Sequence, residues 1–128
     1  MIKFLVVDDE KGTCVQLKEF LENRGYKAFS ANDGKSALDV TKKEEPNIVI
    51  LDIRMPGLNG IEVLREIKKL NAKTRVIMLT GYEDETTRSI SKELGASAYM
   101  TKPYNFEEIL QVARKLINEI YDEEAKKK

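Results

Sequence analysis

Ile48-Val49-Ile50-Leu51-Asp52 decides the fold: four consecutive large apolar residues closed by a carboxylate. A run this short, without polar alternation, predicts a strand buried on both faces, the pattern of a parallel sheet. Phe4-Leu5-Val6-Val7 and Val76-Ile77-Met78-Leu79 repeat the pattern on either side, and they too end in polar residues, Asp8-Asp9 and Thr80. Tyr26 to Ser30 and Ser97 to Met100 are less apolar and suit the sheet edges.

Helical spacing fills the gaps. Cys14, Leu17, Phe20 and Leu21 share one face, and Gly25 supplies a stop. Ala37, Leu38 and Thr41 mark a second helix behind the turn Asn32-Asp33-Gly34, and Ile61, Leu64 and Ile67 mark a third. Asn59-Gly60 is read as a helix cap rather than a hairpin turn, because helix-period residues follow it. Glu83 to Leu94 is helical by composition, with Ile90 and Leu94 as its large apolar anchors. The last helix has the broadest stripe: Phe106, Ile109, Leu110, Ala113, Leu116, Ile117 and Ile120. Asn105 and Glu108 stand in capping-box spacing at its start, and Asp122 to Lys128 reads as a frayed charged tail. Strand–helix alternation repeated along the chain predicts an α/β fold, a doubly wound parallel sheet with helices on both faces. Right-handed crossovers with the three most apolar strands at the centre give the order 2-1-3-4-5, one of the common orders of such sheets.

The chain has 128 residues, 41% of them hydrophobic, enough for one compact domain with a packed core. Lys plus Arg (22) balances Asp plus Glu (22), which argues against direct nucleic-acid binding through bulk positive charge. With no histidine, Ser-His-Asp catalysis, histidine metal ligation and a phosphohistidine-carrier role are all excluded. The single Cys14 allows no internal disulfide and reads as a small core residue. No apolar run is long enough for a membrane span, and the first strand follows Met1 almost at once. A cytoplasmic protein without a membrane partner is expected.

In an open parallel sheet the carboxyl ends of the strands share one edge, and ligands bind there at the switch point of strand order. That point lies between the first and third strands, which carry Asp8, Asp9 and Asp52. Asp8 and Asp9 also suit the dipole of the helix after them, Thr80 suits a turn before Gly81, and Lys102 suits solvent. Polar residues at four strand ends together favour a site. Three convergent carboxylates need a proton or a cation between them. An all-oxygen donor set points to a hard cation, Mg²⁺ ahead of calcium. The loop Asp8-Asp9-Glu10-Lys11-Gly12-Thr13 is anionic and lacks a glycine-rich cradle, so it repels a nucleotide phosphate. A carboxylate beside Mg²⁺ and a lysine can instead act as a nucleophile toward phosphorus.

These residues resemble the response-regulator receiver domains of two-component signalling, of the chemotaxis type, over essentially Ile2 to Tyr121, with 122–128 as the tail. The resemblance rests on Val7-Asp8-Asp9-Glu10, Leu51-Asp52-Ile53-Arg54-Met55-Pro56-Gly57, Asn59-Gly60, Leu79-Thr80-Gly81, Glu93-Leu94-Gly95-Ala96 and Thr101-Lys102-Pro103-Tyr104, in order and at the family's spacing. It implies a flavodoxin-like sheet and a phosphorylation-activated switch. Asp52 would accept a phosphoryl group from a sensor histidine kinase or a histidine phosphotransfer protein. Asp8, Asp9, Asp52 and the backbone carbonyl of Arg54 would hold Mg²⁺. Lys102 and Thr80 would contact the phosphoryl oxygens, Tyr99 takes the switch aromatic position, and the Lys102-Pro103 bond is expected to be cis. Output would pass to an unidentified protein target. The resemblance extends to stand-alone, single-domain receivers and equally to a receiver excised from a longer regulator.

Such a switch catalyses only its own phosphoryl transfer and dephosphorylation and is not a metabolic enzyme. The alternative is a Mg²⁺-dependent aspartyl-phosphate phosphohydrolase of the haloacid-dehalogenase type. That chemistry usually has a second Asp two residues after the nucleophile, where Arg54 stands here. A flavodoxin-like electron carrier conflicts with the anionic first loop, and a pure interaction module would leave the acidic site without use.

Overall fold

The computed structural model describes residues 1–53, 59–81 and 85–127. Elements alternate along the chain as β1 (Lys3–Val7), α1 (Lys11–Asn23), β2 (Lys27–Ala31), α2 (Gly34–Glu44) and β3 (Ile48–Asp52). They continue as α3 (Gly60–Leu70), β4 (Arg75–Thr80), α4 (Glu85–Glu93), β5 (Ala98–Thr101) and α5 (Phe106–Lys126). All neighbouring strands pair in parallel, in the order β2-β1-β3-β4-β5. The doubly wound sheet expected from the pattern of apolar runs is therefore the fold.

Side chains alternate across the strands and feed two cores. Phe4, Val6, Ile48, Ile50, Ile77 and Leu79 pack with α1 and α5 on one face. Leu5, Val7, Val49, Leu51, Val76 and Met78 pack with α2 and α3 on the other. β1, β3 and β4 are buried almost throughout, whereas β2 and β5 are only partly covered, as edge strands are. Cys14 is fully buried in the first core, its thiol donating to the Val6 carbonyl at 3.4 Å.

Local chemistry sets the helix ends. Asn59 Oδ1 accepts from Glu62 N at 3.0 Å and Asn105 Oδ1 from Glu108 N at 2.9 Å, so both act as the predicted N-caps. Gly25 takes φ +91° just past α1, a conformation open to glycine at little cost. Two expectations need correction. The anchor of α4 is not Ile90, which is 38% exposed, but Ser91, which is fully buried; Leu94 is half-buried against the second core. The segment from Asp122 is not a frayed tail: α5 continues to Lys126, with Glu123 paired to Arg75 Nη2 at 2.7 Å. Among the described residues no helix is long and apolar enough to cross a membrane.

Candidate metal and phosphoryl site

The first carboxylates sit where the chain leaves β1. The β1–β2 ladder runs one rung past the strands, with Asp8 N donating to the Ala31 carbonyl at 3.1 Å. The backbone then turns, and Glu10 N donates to Asp8 Oδ1 at 2.9 Å, which holds the carboxylate beside the start of α1. Asp9, next in line, is exposed. On the adjacent strand Asp52 ends β3, and Ile53 N donates to the Leu79 carbonyl at 2.9 Å, tying the strand end to β4. The start of α3 then presses against this turn: Gly60 N donates to the Ile53 carbonyl at 3.0 Å, and a Cβ on Gly60 would lie 2.5 Å from Ile53 Cα. Only glycine permits that approach.

One carboxylate oxygen from each of Asp8, Asp9 and Asp52 lies within 4.8 Å of the others. They open onto a cavity of about 550 Å³ that also takes Lys102 into its wall. Burial, then the Asp52 and Asp9 carboxylates, push the Asp8 pKa up to about 6, against a lowering by the hydrogen bond from Glu10 N. The all-oxygen donors of this cluster, gathered within 4.8 Å of one another, fit a hard divalent cation. Asp8, Asp9 and Asp52 would hold the ion.

The other residues predicted from sequence are distributed as follows. Lys102 is exposed just after β5, and its N–H donates to the Thr80 carbonyl at 3.1 Å. The Lys102-Pro103 bond is cis, as the resemblance implied. Thr80 closes β4, buried, one residue beyond the partner of Asp52 in the β3–β4 register. Tyr99 lies further down β5, paired with Met78, with the Arg88 guanidinium 5.0 Å from its ring centre. Arg54, whose carbonyl was the fourth expected ligand, lies outside the described residues. Thr13, Gln16, Tyr104 and Phe106 also line the cavity, and the sequence reading assigned none of them to the site. Thr13 and Gln16 are one helical turn apart on α1, a spacing that could have flagged them once Asp9 was placed beside the helix start.

The response regulator receiver domain profile matches residues 4–114. The chain is 39% identical over 115 residues to sporulation initiation phosphotransferase F of Bacillus subtilis (strain 168), covering 90% of this chain and 93% of that one. Among solved structures it is similar to a response regulator receiver domain protein from Clostridium thermocellum, with TM-score 0.88 and 31% identity over 94% of this chain and 98% of that one. It is also similar to a response regulator protein from Burkholderia pseudomallei with a phosphorylated aspartic acid, calcium ion and citrate. There the TM-score is 0.84 and the identity 29%, over 99% of this chain and 75% of that one.

Proposed function

The chain belongs to the response regulator receiver domain family, and from that premise we propose that it is a phosphorylation-activated switch whose acceptor is Asp52. An Asp52 carboxylate oxygen forms a bond to phosphorus while the phosphorus–nitrogen bond of a phosphohistidine on a sensor kinase or phosphotransfer protein breaks. The leaving imidazole takes its electron pair and remains with the donor. The observation that carries this is the convergence of Asp8, Asp9 and Asp52 within 4.8 Å, with Lys102 on the wall of the same cavity. Mg²⁺ held by Asp8, Asp9, Asp52 and the Arg54 carbonyl would neutralise charge on the transferring group. Lys102 supplies a second cation there, and Thr80 a hydroxyl for a phosphoryl oxygen. The Bacillus phosphotransferase supports a place in a phosphorelay, and the Burkholderia protein supports an aspartyl phosphate with a divalent cation on this fold. The phosphohydrolase alternative is disfavoured because Arg54 stands where its acid/base Asp would be.

Output runs through α4, β5 and α5 to a protein target in the cytoplasm. α4 buries only Ser91 completely, whereas α5 buries six residues, so α4 is the easier element to shift. Acetyl phosphate with Mg²⁺ adds one hydroxylamine-labile phosphoryl group to the wild type and none to Asp52→Asn; equal labelling of the variant moves the acceptor elsewhere. Beryllofluoride, a phosphoryl mimic, changes hydrogen exchange in 85–94 and 98–104. A response confined to the Asp52 turn removes the proposed output face.

A further inference from the structure

We propose that Asn32 is a positioning residue of the acidic centre, acting through the backbone of Asp8. The proposal rests on the metal reading of Asp8, Asp9 and Asp52. The backbone ladder between β1 and β2 ends with Asp8 N on the Ala31 carbonyl, so the next group in line, the Asp8 carbonyl, needs a donor. The backbone beyond β2 does not supply it, because the chain is already committed to α2. Asp33 is the N-cap, with extended φ −153° and ψ 171°, and its carboxylate accepts from Ser36 N at 2.7 Å. Asn32 fills the gap with its side chain: Nδ2 donates to the Asp8 carbonyl at 2.9 Å. Asn32 is half-buried and follows the buried Ala31, so water is a poor substitute for this donor.

The Asp8 carbonyl belongs to the peptide that joins Asp8 to Asp9. Holding it fixes the plane of that peptide and so the direction in which Asp9 leaves Asp8. Glu10 N meanwhile holds Asp8 Oδ1. One hydrogen bond therefore orients the main chain between the two carboxylates and the other orients the first carboxylate. Asparagine is suited to this position because it donates; Leu has a similar shape and no donor, and Asp offers the carbonyl only an acceptor at neutral pH.

The test is a Mg²⁺ titration of the full chain followed by amide shifts, for wild type, Asn32→Leu and Asn32→Ala, with melting in EDTA and the Asp8 carbonyl carbon shift as companion measurements. Groups that orient metal ligands typically change affinity by about 10–100-fold, and about tenfold weaker Mg²⁺ binding is expected for both variants. Melting in EDTA stays close to wild type, and the Asp8 carbonyl resonance moves upfield as its hydrogen bond is lost. A wild type without Mg²⁺-dependent shifts overturns the metal reading itself. A wild type that binds, beside variants within about twofold of it, overturns only the role given to Asn32. An unmoved Asp8 carbonyl resonance overturns it as well, as does a large loss of melting temperature without a change in affinity. If Asn32→Leu does not fold, the Asn32→Ala protein decides on the same measurements.

Discussion

At the end of the sheet where the strands begin, ion pairs and hydrogen bonds to backbone carbonyls tie the elements together. Arg75, only 14% exposed along its side chain, reaches Glu123 at 2.7 Å and Glu119 at 4.0 Å. Lys68 Nζ donates to the carbonyls of Ala72 and Thr74 at 2.7 and 2.8 Å. Asn47 bridges two strands, accepting from Lys3 N at 2.8 Å through Oδ1 and from Arg75 N at 3.0 Å through its carbonyl. At the opposite end, where the strands finish, three carboxylates crowd together and one of them is driven toward its neutral form. Parallel strands bring all their carboxyl ends to one edge, so a single sheet can use one end to tie its elements together and gather chemistry at the other. The lesson is that the carboxylates gather at one edge, while ion pairs and backbone hydrogen bonds tie the other.

The largest expected effect tests the acidic end. Asp9→Ala weakens Mg²⁺ binding by about tenfold or more, because a charged oxygen donor is lost from a site with few of them. Calorimetric or amide-shift titration checks this, and unchanged affinity would assign the ion to other groups.

Asp8→Asn sharpens the contrast through stability. The Asp8 pKa rises from 3.8 to about 6 on folding, so the folded protein holds a proton there that the unfolded chain has released between those values. Ionised Asp8 therefore opposes folding above about pH 6, and that penalty disappears as pH falls from about 6 toward 4. A two-unit shift corresponds to about 3 kcal/mol at most, and solvent screening of this half-exposed group reduces it to about 1–2 kcal/mol. In EDTA at neutral pH Asp8→Asn should melt several degrees higher than wild type and lose this pH dependence. Saturating Mg²⁺ should reverse the order of the two proteins.

The smallest effect belongs to the ion-paired end. Arg75→Met keeps much of the buried stem and removes the charge, at a cost of about 1 kcal/mol, read as a fall of a few degrees in melting temperature. Mg²⁺ affinity should stay at the wild-type value. A coupled loss of affinity would mean that the two ends are not independent.

Some of this was legible residue by residue. Ile48 to Leu51 carries its own strand signal, and Asn59 and Asn105 cap their helices through contacts three residues long. The approach of Asp8, Asp9 and Asp52 followed from strand order, since each stands at a strand's carboxyl end. α4 was less legible, because its sequence has few large apolar residues; burial of Ser91 in place of Ile90 depends on how the helix is turned against the sheet. The end of α5 was less legible because six of the seven residues from Asp122 to Lys128 are charged, whereas Glu123 is held by Arg75, 48 positions earlier.

The sequence by itself determined the strands, the caps, the sheet order and the identity of the acidic cluster. Those follow from side-chain periodicity, short-range hydrogen bonds and the chirality of crossovers, all of which act locally or through topology. Tertiary structure alone decided that Asn32 meets the Asp8 carbonyl, that α5 runs on to Lys126, and that burial raises the Asp8 pKa. Each of these depends on the distance and dielectric between groups remote in sequence, and both are set only when the layers pack.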